Sequence, residues 1–102
     1  MGLDIRLETE RGDIIDSVGD PHNLLHNLLP LPGDESDTML SWIDWYGNTT
    51  FNHLQMKRFL GEWDRVIRRV ENPEATDLLS RIRELAVRCS EERTFHLKFI
   101  GD

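Results

Sequence analysis

Along LDIRLE the apolar and polar positions alternate: Leu3, Ile5 and Leu7 point one way, Asp4, Arg6 and Glu8 the other. Period two is the mark of a strand with one buried face. TERG supplies a turn and DIIDSV a second β-branched run, so the two runs predict a hairpin. GDP stops the strand, placing Asp20 as a helix cap and Pro21 at a first helical position. PHNLLHNLL sets Leu24, Leu25 and Leu28 on one side and predicts a helix of about two turns. PLPGDESD reads as a loop.

TMLSWIDWYG fits two periods. At period two, Leu40, Trp42, Asp44 and Tyr46 share a face; at helical period, Met39, Leu40, Trp42, Ile43 and Tyr46 do. Asp37 is placed to cap a short helix, which favours the helical choice, and Gly47 ends the element either way. Asn52 with Gln55 three residues on is a capping-box pattern. Met56, Phe59, Leu60, Trp63, Val66, Ile67 and Val70 follow at spacings of three and four, an amphipathic helix. Asn72-Pro73 opens a second, with Leu78, Leu79, Ile82, Leu85, Ala86 and Cys89 on its stripe. On that helix Asp77–Arg81 and Glu84–Arg88 are spaced as i, i+4 pairs. TFHLKFI alternates again, Phe95, Leu97 and Phe99 inward, His96 and Lys98 outward, and makes a third strand.

This order predicts one α+β domain over residues 1–102: a small, mainly antiparallel sheet, N-terminal hairpin plus C-terminal strand, packed on two long amphipathic helices and one or two short ones. No apolar run is long enough to span a membrane, and the opening MGLDIRLETERG has no apolar core of signal-peptide length. A single cysteine, Cys89, makes no internal disulfide and no structural zinc site, so a reducing cytoplasm is expected.

Charge sharpens the picture. The chain carries −7. Residues 1–51 hold ten acids and two bases, −8, while residues 52–102 hold nine acids and ten bases, +1. Such acidity repels phosphate, so nucleic acid is not expected as a partner, and a basic protein is favoured through electrostatic steering. The bases Lys57, Arg58, Arg65, Arg68, Arg69, Arg81, Arg83 and Arg88 alternate with Glu62, Asp64, Glu71, Asp77 and Glu84, the pattern of solvated helix faces.

Chemistry-bearing constellations are sparse. His22 and His26 lie four apart on a predicted helix, a spacing that metal sites use, but no third ligand accompanies them. Cys89 falls on an apolar stripe and reads as a packing residue. No serine sits in a nucleophile elbow, and the seven glycines form no phosphate loop. Asp44 stands among apolar neighbours, where it either has a raised pKa or accepts backbone N–H bonds from the Gly47-Asn48 turn. The stretch WIDWYGNTTFNHLQ concentrates two tryptophans and the only tyrosine beside the acids of GDESD. Either it is a crossover with Trp42 and Ile43 in the core, or it is an aromatic interface with an acidic rim.

The opening MGLDI, the central IDWYGNTTFN ahead of an amphipathic helix, and the closing FHLKFIGD resemble small uncharacterised bacterial proteins over nearly the whole chain. In size, acidity and lack of catalytic apparatus the chain is similar to immunity proteins of bacterial toxin systems, a class defined by function rather than by one fold. The resemblance implies a non-catalytic inhibitor of a basic protein such as a nuclease toxin, with no cofactor. The residues expected to meet the partner are Asp34, Glu35, Asp37, Asp44, Trp45, Tyr46, Asn48 and His53. A small metal-dependent hydrolase using Asp44, His22, His26 or His53, and a homodimer built on an aromatic patch, stand as alternatives.

Overall fold

The computed structural model describes residues 2–30 and 39–101. Strands β1 (Asp4–Thr9) and β2 (Ile14–Gly19) form the expected antiparallel hairpin, with a bulge where the register shifts between Leu7 and Glu8. Gly12, at φ 88, takes the left-handed conformation that the turn needs. Strand β3 (Asn48–Asn52) and the C-terminal β4 (Phe95–Ile100) complete a four-stranded antiparallel sheet in the order β2-β1-β4-β3. The C-terminal strand does return beside the N-terminal hairpin, as its pattern required.

Strand β3 was not expected. NTTFN contains only one buried residue, Phe51, so it lacks the apolar alternation that marks its neighbours. It sits at a sheet edge, where half-polar strands are common, and its last residue doubles as a helix cap. The capping box itself is present: Asn52 Oδ1 accepts from Gln55 N at 3.1 Å, and Gln55 Oε1 accepts from Asn52 N at 2.8 Å. A 3-10 turn, His53–Gln55, leads directly into α1 (Met56–Arg69). Helix α2 (Pro73–Glu91) starts as predicted, with Asn72 Oδ1 accepting from Glu74 N and Ala75 N.

The cross-strand register lays Val18, Ile5, Phe99 and Thr49 in one row and Asp16, Leu7, Leu97 and Phe51 in the next. Both rows face the helices. Phe59 stacks on Trp63 with centroids 5.2 Å apart, and both lean on Phe99. The indole Nε1 of Trp63 donates to Leu79 O at 2.9 Å, a buried bond that ties α1 to α2. Cys89 is buried as its stripe position required; burial pushes its thiol up to about 11, partly offset by an N–H of Leu97.

Two predicted short helices are corrected. The segment after Pro21 is one 3-10 turn, Leu24–Asn27, because Asn23 adopts φ 54 and breaks any helix begun at Pro21. Asp20 still caps, but farther on, accepting from Leu24 N and Leu25 N, both at 2.9 Å. The ambiguous TMLSWIDWYG element contains a 3-10 turn, Met39–Trp42, followed by a turn into β3; its supposed cap, Asp37, lies outside the described residues.

The charged helix faces are more tightly tied than their pattern suggested. Asp77–Arg81 pairs as expected, at 3.2 Å, but Arg88 bonds Asp16 of β2 at 2.9 Å rather than Glu84. Arg83 grips Asp64 across the helix pair, at 2.7 and 3.3 Å. That bidentate bond holds the Asp64 carboxyl below its ordinary pKa. A depressed pKa stabilises the fold above the ordinary carboxylate range and ceases to do so as pH falls through the folded-state value. With both side chains more than a third exposed, solvent screening holds the pair to about 0.5–1 kcal/mol. Asp64→Asn is therefore expected to lose that amount at neutral pH in urea titrations, and the difference from the parent should close on acidification. A gap that persists in acid would remove the carboxylate as its cause.

Candidate functional site

The aromatic stretch is split between core and surface. Ile43 is fully buried, and Met39 and Leu40 join the core beside it. Trp42, placed in the core by one of the two readings of this stretch, is 54% exposed, and Tyr46 is 85% exposed. The reason lies in the 3-10 turn. Met39, Leu40 and Ser41 of that turn are buried, and its last residue, Trp42, faces outward. Leu54, off the apolar stripe of α1, is 78% exposed.

Trp42 has an ordered partner. Arg58 Cζ lies 6.0 Å from its ring centroid, at the outer limit of a cation–π contact. Arg58 Nε donates to Glu62 Oε2 at 3.1 Å, and Glu62 Oε1 accepts from Leu40 N at 3.2 Å. Glu62 was read as a solvated helix acid, yet it is buried, because it closes an open N–H of the 3-10 turn. One carboxylate thus fixes the turn against α1 and holds Arg58 over Trp42. Leu54 stands one helical turn ahead of Arg58.

Asp44 is exposed rather than buried. Its Oδ1 accepts from Tyr46 N at 2.9 Å, its N–H donates to Thr49 Oγ1 at 2.8 Å, and its carbonyl accepts from Gly47 N at 3.5 Å. It accepts from the turn as one of its two readings required, but at Tyr46 rather than at Gly47-Asn48. This small network orients Tyr46 outward. At Gly101 a Cβ would fall 2.2 Å from Trp45 O, so this glycine lets two chain segments pass at close range, whereas at Gly47 it would meet only the Asp44 carboxylate, at 2.7 Å. Gly101 N donates to Gly47 O at 2.7 Å, continuing the β3–β4 ladder past the strand ends.

Of the remaining expected partner residues, Asn48 is exposed at the start of β3 and His53 is half-buried at the start of its 3-10 turn. Trp45 is half-buried against the core, with His26 edge-on at 5.7 Å and 83°. Trp45 therefore backs the site rather than presenting itself as an anchor. Asp34, Glu35 and Asp37 lie outside the described residues. Sequence reasoning missed Trp42, Leu54 and Arg58 as surface members of this region. For Leu54 the signal was its absence from the helical stripe; for the other two it was the buried Glu62, which no spacing reveals.

His22 and His26 do not share a helix face, since the left-handed Asn23 stands between them; His26 is spent on Trp45. His22 separates two open clefts, of about 250 and 470 Å³, along the start of α2. The carboxylates of the smaller cleft are partly committed: Asp20 to backbone N–H groups, Asp77 to Arg81. Among the described residues no group of three His, Cys, Asp or Glu is placed to hold a metal ion. No described helix is long and apolar enough to cross a membrane.

No protein-family model, no curated protein and no solved structure matches the chain.

Proposed function

We propose that this chain is a non-catalytic binding protein that occludes a basic protein partner, in the manner of immunity proteins of bacterial toxin systems. The observation that supports this reading is the exposure of Trp42, Tyr46 and Leu54 on one short stretch of a chain whose N-terminal half carries −8. Large side chains at a surface are costly to leave in water unless they are used, and Trp, Tyr and Arg are the residue types that anchor interfaces. Arg58, bonded to Glu62, lies against the Trp42 ring, and Asp44 fixes the backbone at Tyr46, so part of the ordering that binding requires is already in place. The acids of the same half, Asp34, Glu35, Asp37 and Asp44, would steer the partner and set its orientation.

The test is capture from the source organism's lysate on immobilised protein. A single basic protein, retained at low salt and released at high salt, is expected. Tyr46→Ala and Trp42→Ala should each weaken its binding by roughly thirty-fold, the effect of an anchor worth about 2 kcal/mol. Association should slow as salt rises. Unchanged binding by both variants, in chains with unaltered circular dichroism, would overturn the assignment of this surface.

A further inference from the structure

We propose that the open edge of β3 pairs with the same edge of a second copy of this chain, in antiparallel fashion about a two-fold axis at Thr50, so that two four-stranded sheets become one of eight. This inference does not rest on the binding of a basic partner. It follows from the backbone.

Hydrogen bonds beyond the strand ends fix which groups face outward. Asp20 N donates to Leu3 O, and Gly101 N donates to Gly47 O. Antiparallel ladders alternate between bonded and non-bonded pairs. In the observed register, Thr49↔Phe99 and Phe51↔Leu97 are therefore the bonded pairs of β3 with β4. Asn48, Thr50 and Asn52 turn their N–H and C=O groups to the open edge. By the same alternation, Ser17 and Gly19 face outward on β2, the opposite edge.

The two edges are finished differently. On β2, Asp16 Oδ1 accepts the outward N–H of Ser17 at 2.8 Å, while its Oδ2 accepts from Arg88 at 2.9 Å. A bulge and a carboxylate thus disrupt that edge, two of the ways in which edges are kept from pairing. On β3 the closure is confined to the strand's last residue: the N–H of Asn52 is bonded by Gln55, and its C=O opens the turn that follows. The strand NTTFN contains no charge and no proline. For chains that carry −7 each, an uncharged strand lets two copies meet without opposing like charges.

The edge is also self-complementary. A two-fold at Thr50 sets Thr50 opposite its own copy and Asn48 opposite Asn52. Thr50 N–H then meets the facing Thr50 C=O, two bonds by symmetry, and Asn48 N–H faces Asn52, whose C=O also opens the 3-10 turn His53–Gln55. The Asn52 N–H, already closed, is not needed. Tyr46 and Leu54, exposed by 85% and 78%, flank the strand, one in the turn before it and one in the 3-10 turn after it. Beyond them, the end bearing the exposed Asp44 approaches the end bearing the exposed Lys57 and Arg58.

The test is sedimentation velocity of the full chain from low micromolar to submillimolar concentration. Twice the chain mass is expected at the upper end. Chain mass throughout would overturn the proposal. Thr50→Pro removes an outward N–H without touching the ladder to β4, and Thr50→Glu places like charges face to face on an exposed position. Both should sediment as single chains with unchanged circular dichroism. Should Thr50→Pro fail to fold, Thr50→Glu decides alone. A dimer that survives Thr50→Glu in a folded chain would overturn the assignment of this edge.

Discussion

Trp63→Ala is expected to destabilise the fold by about 3–5 kcal/mol, the cost of deleting a fully buried aromatic. Domains of this size are held by roughly 5–15 kcal/mol in all, so the variant should be close to unfolding. Two contributions add here. The indole fills the space between Phe59, Phe99 and α2, and its Nε1–H bonds the backbone of Leu79. Trp63→Phe separates them, since it retains most of the ring and forfeits the donor. Leu79 O sits within α2 and keeps its helical partner, so this change should cost only about 1–2 kcal/mol. Urea titrations followed by circular dichroism would check both. A loss below about 1 kcal/mol for Trp63→Ala would mean that the helix pair is held elsewhere.

Trp63 also shows what was legible in the sequence. Its place on a clean helical stripe announced a core position, and the stripe of α2 did the same for Leu79 and Cys89. Long-period patterns are read well because many residues vote for the same face. The strands with strict alternation, β1 and β4, were equally plain. Strand β3 was not, because an edge strand with one buried residue has almost no pattern to read. The 3-10 turn at Met39–Trp42 defeated periodicity for a related reason: four residues support either period, and neither decides whether Trp42 is inside or out. The candidate site inherited both failures. Two of its exposed members, Trp42 and Arg58, are tied together through Glu62, a residue twenty-two positions from the N–H it accepts. Asp44, Tyr46 and Asn48 were named from sequence and are exposed, and of these only Tyr46 is a large aromatic.

A second large effect is expected at Asp20, which no catalytic or partner reading invoked. It is 2% exposed, and each carboxylate oxygen accepts one backbone N–H, from Leu24 and Leu25. Its own N–H bonds Leu3 O, and its carbonyl accepts from Asn23 N, so the residue pins the chain where it leaves the sheet. The packing is close enough that a Cβ on Gly2 would overlap Asp20 O, which accounts for glycine there. Asp20→Ala leaves two N–H groups without acceptors, one of them buried, at about 3 kcal/mol in total. The 3-10 turn that follows should loosen, drawing Leu25 from the core and His26 from the edge of Trp45. Because Trp45 backs the stretch that presents Tyr46, the variant should weaken partner binding as well as stability, with a change in tryptophan fluorescence to report the first step. Asp20→Asn keeps one oxygen acceptor, so it should lose about half as much. Equal losses in the two variants would show that the single oxygen kept by Asn does not hold the turn, and that the two acceptors work only as a pair.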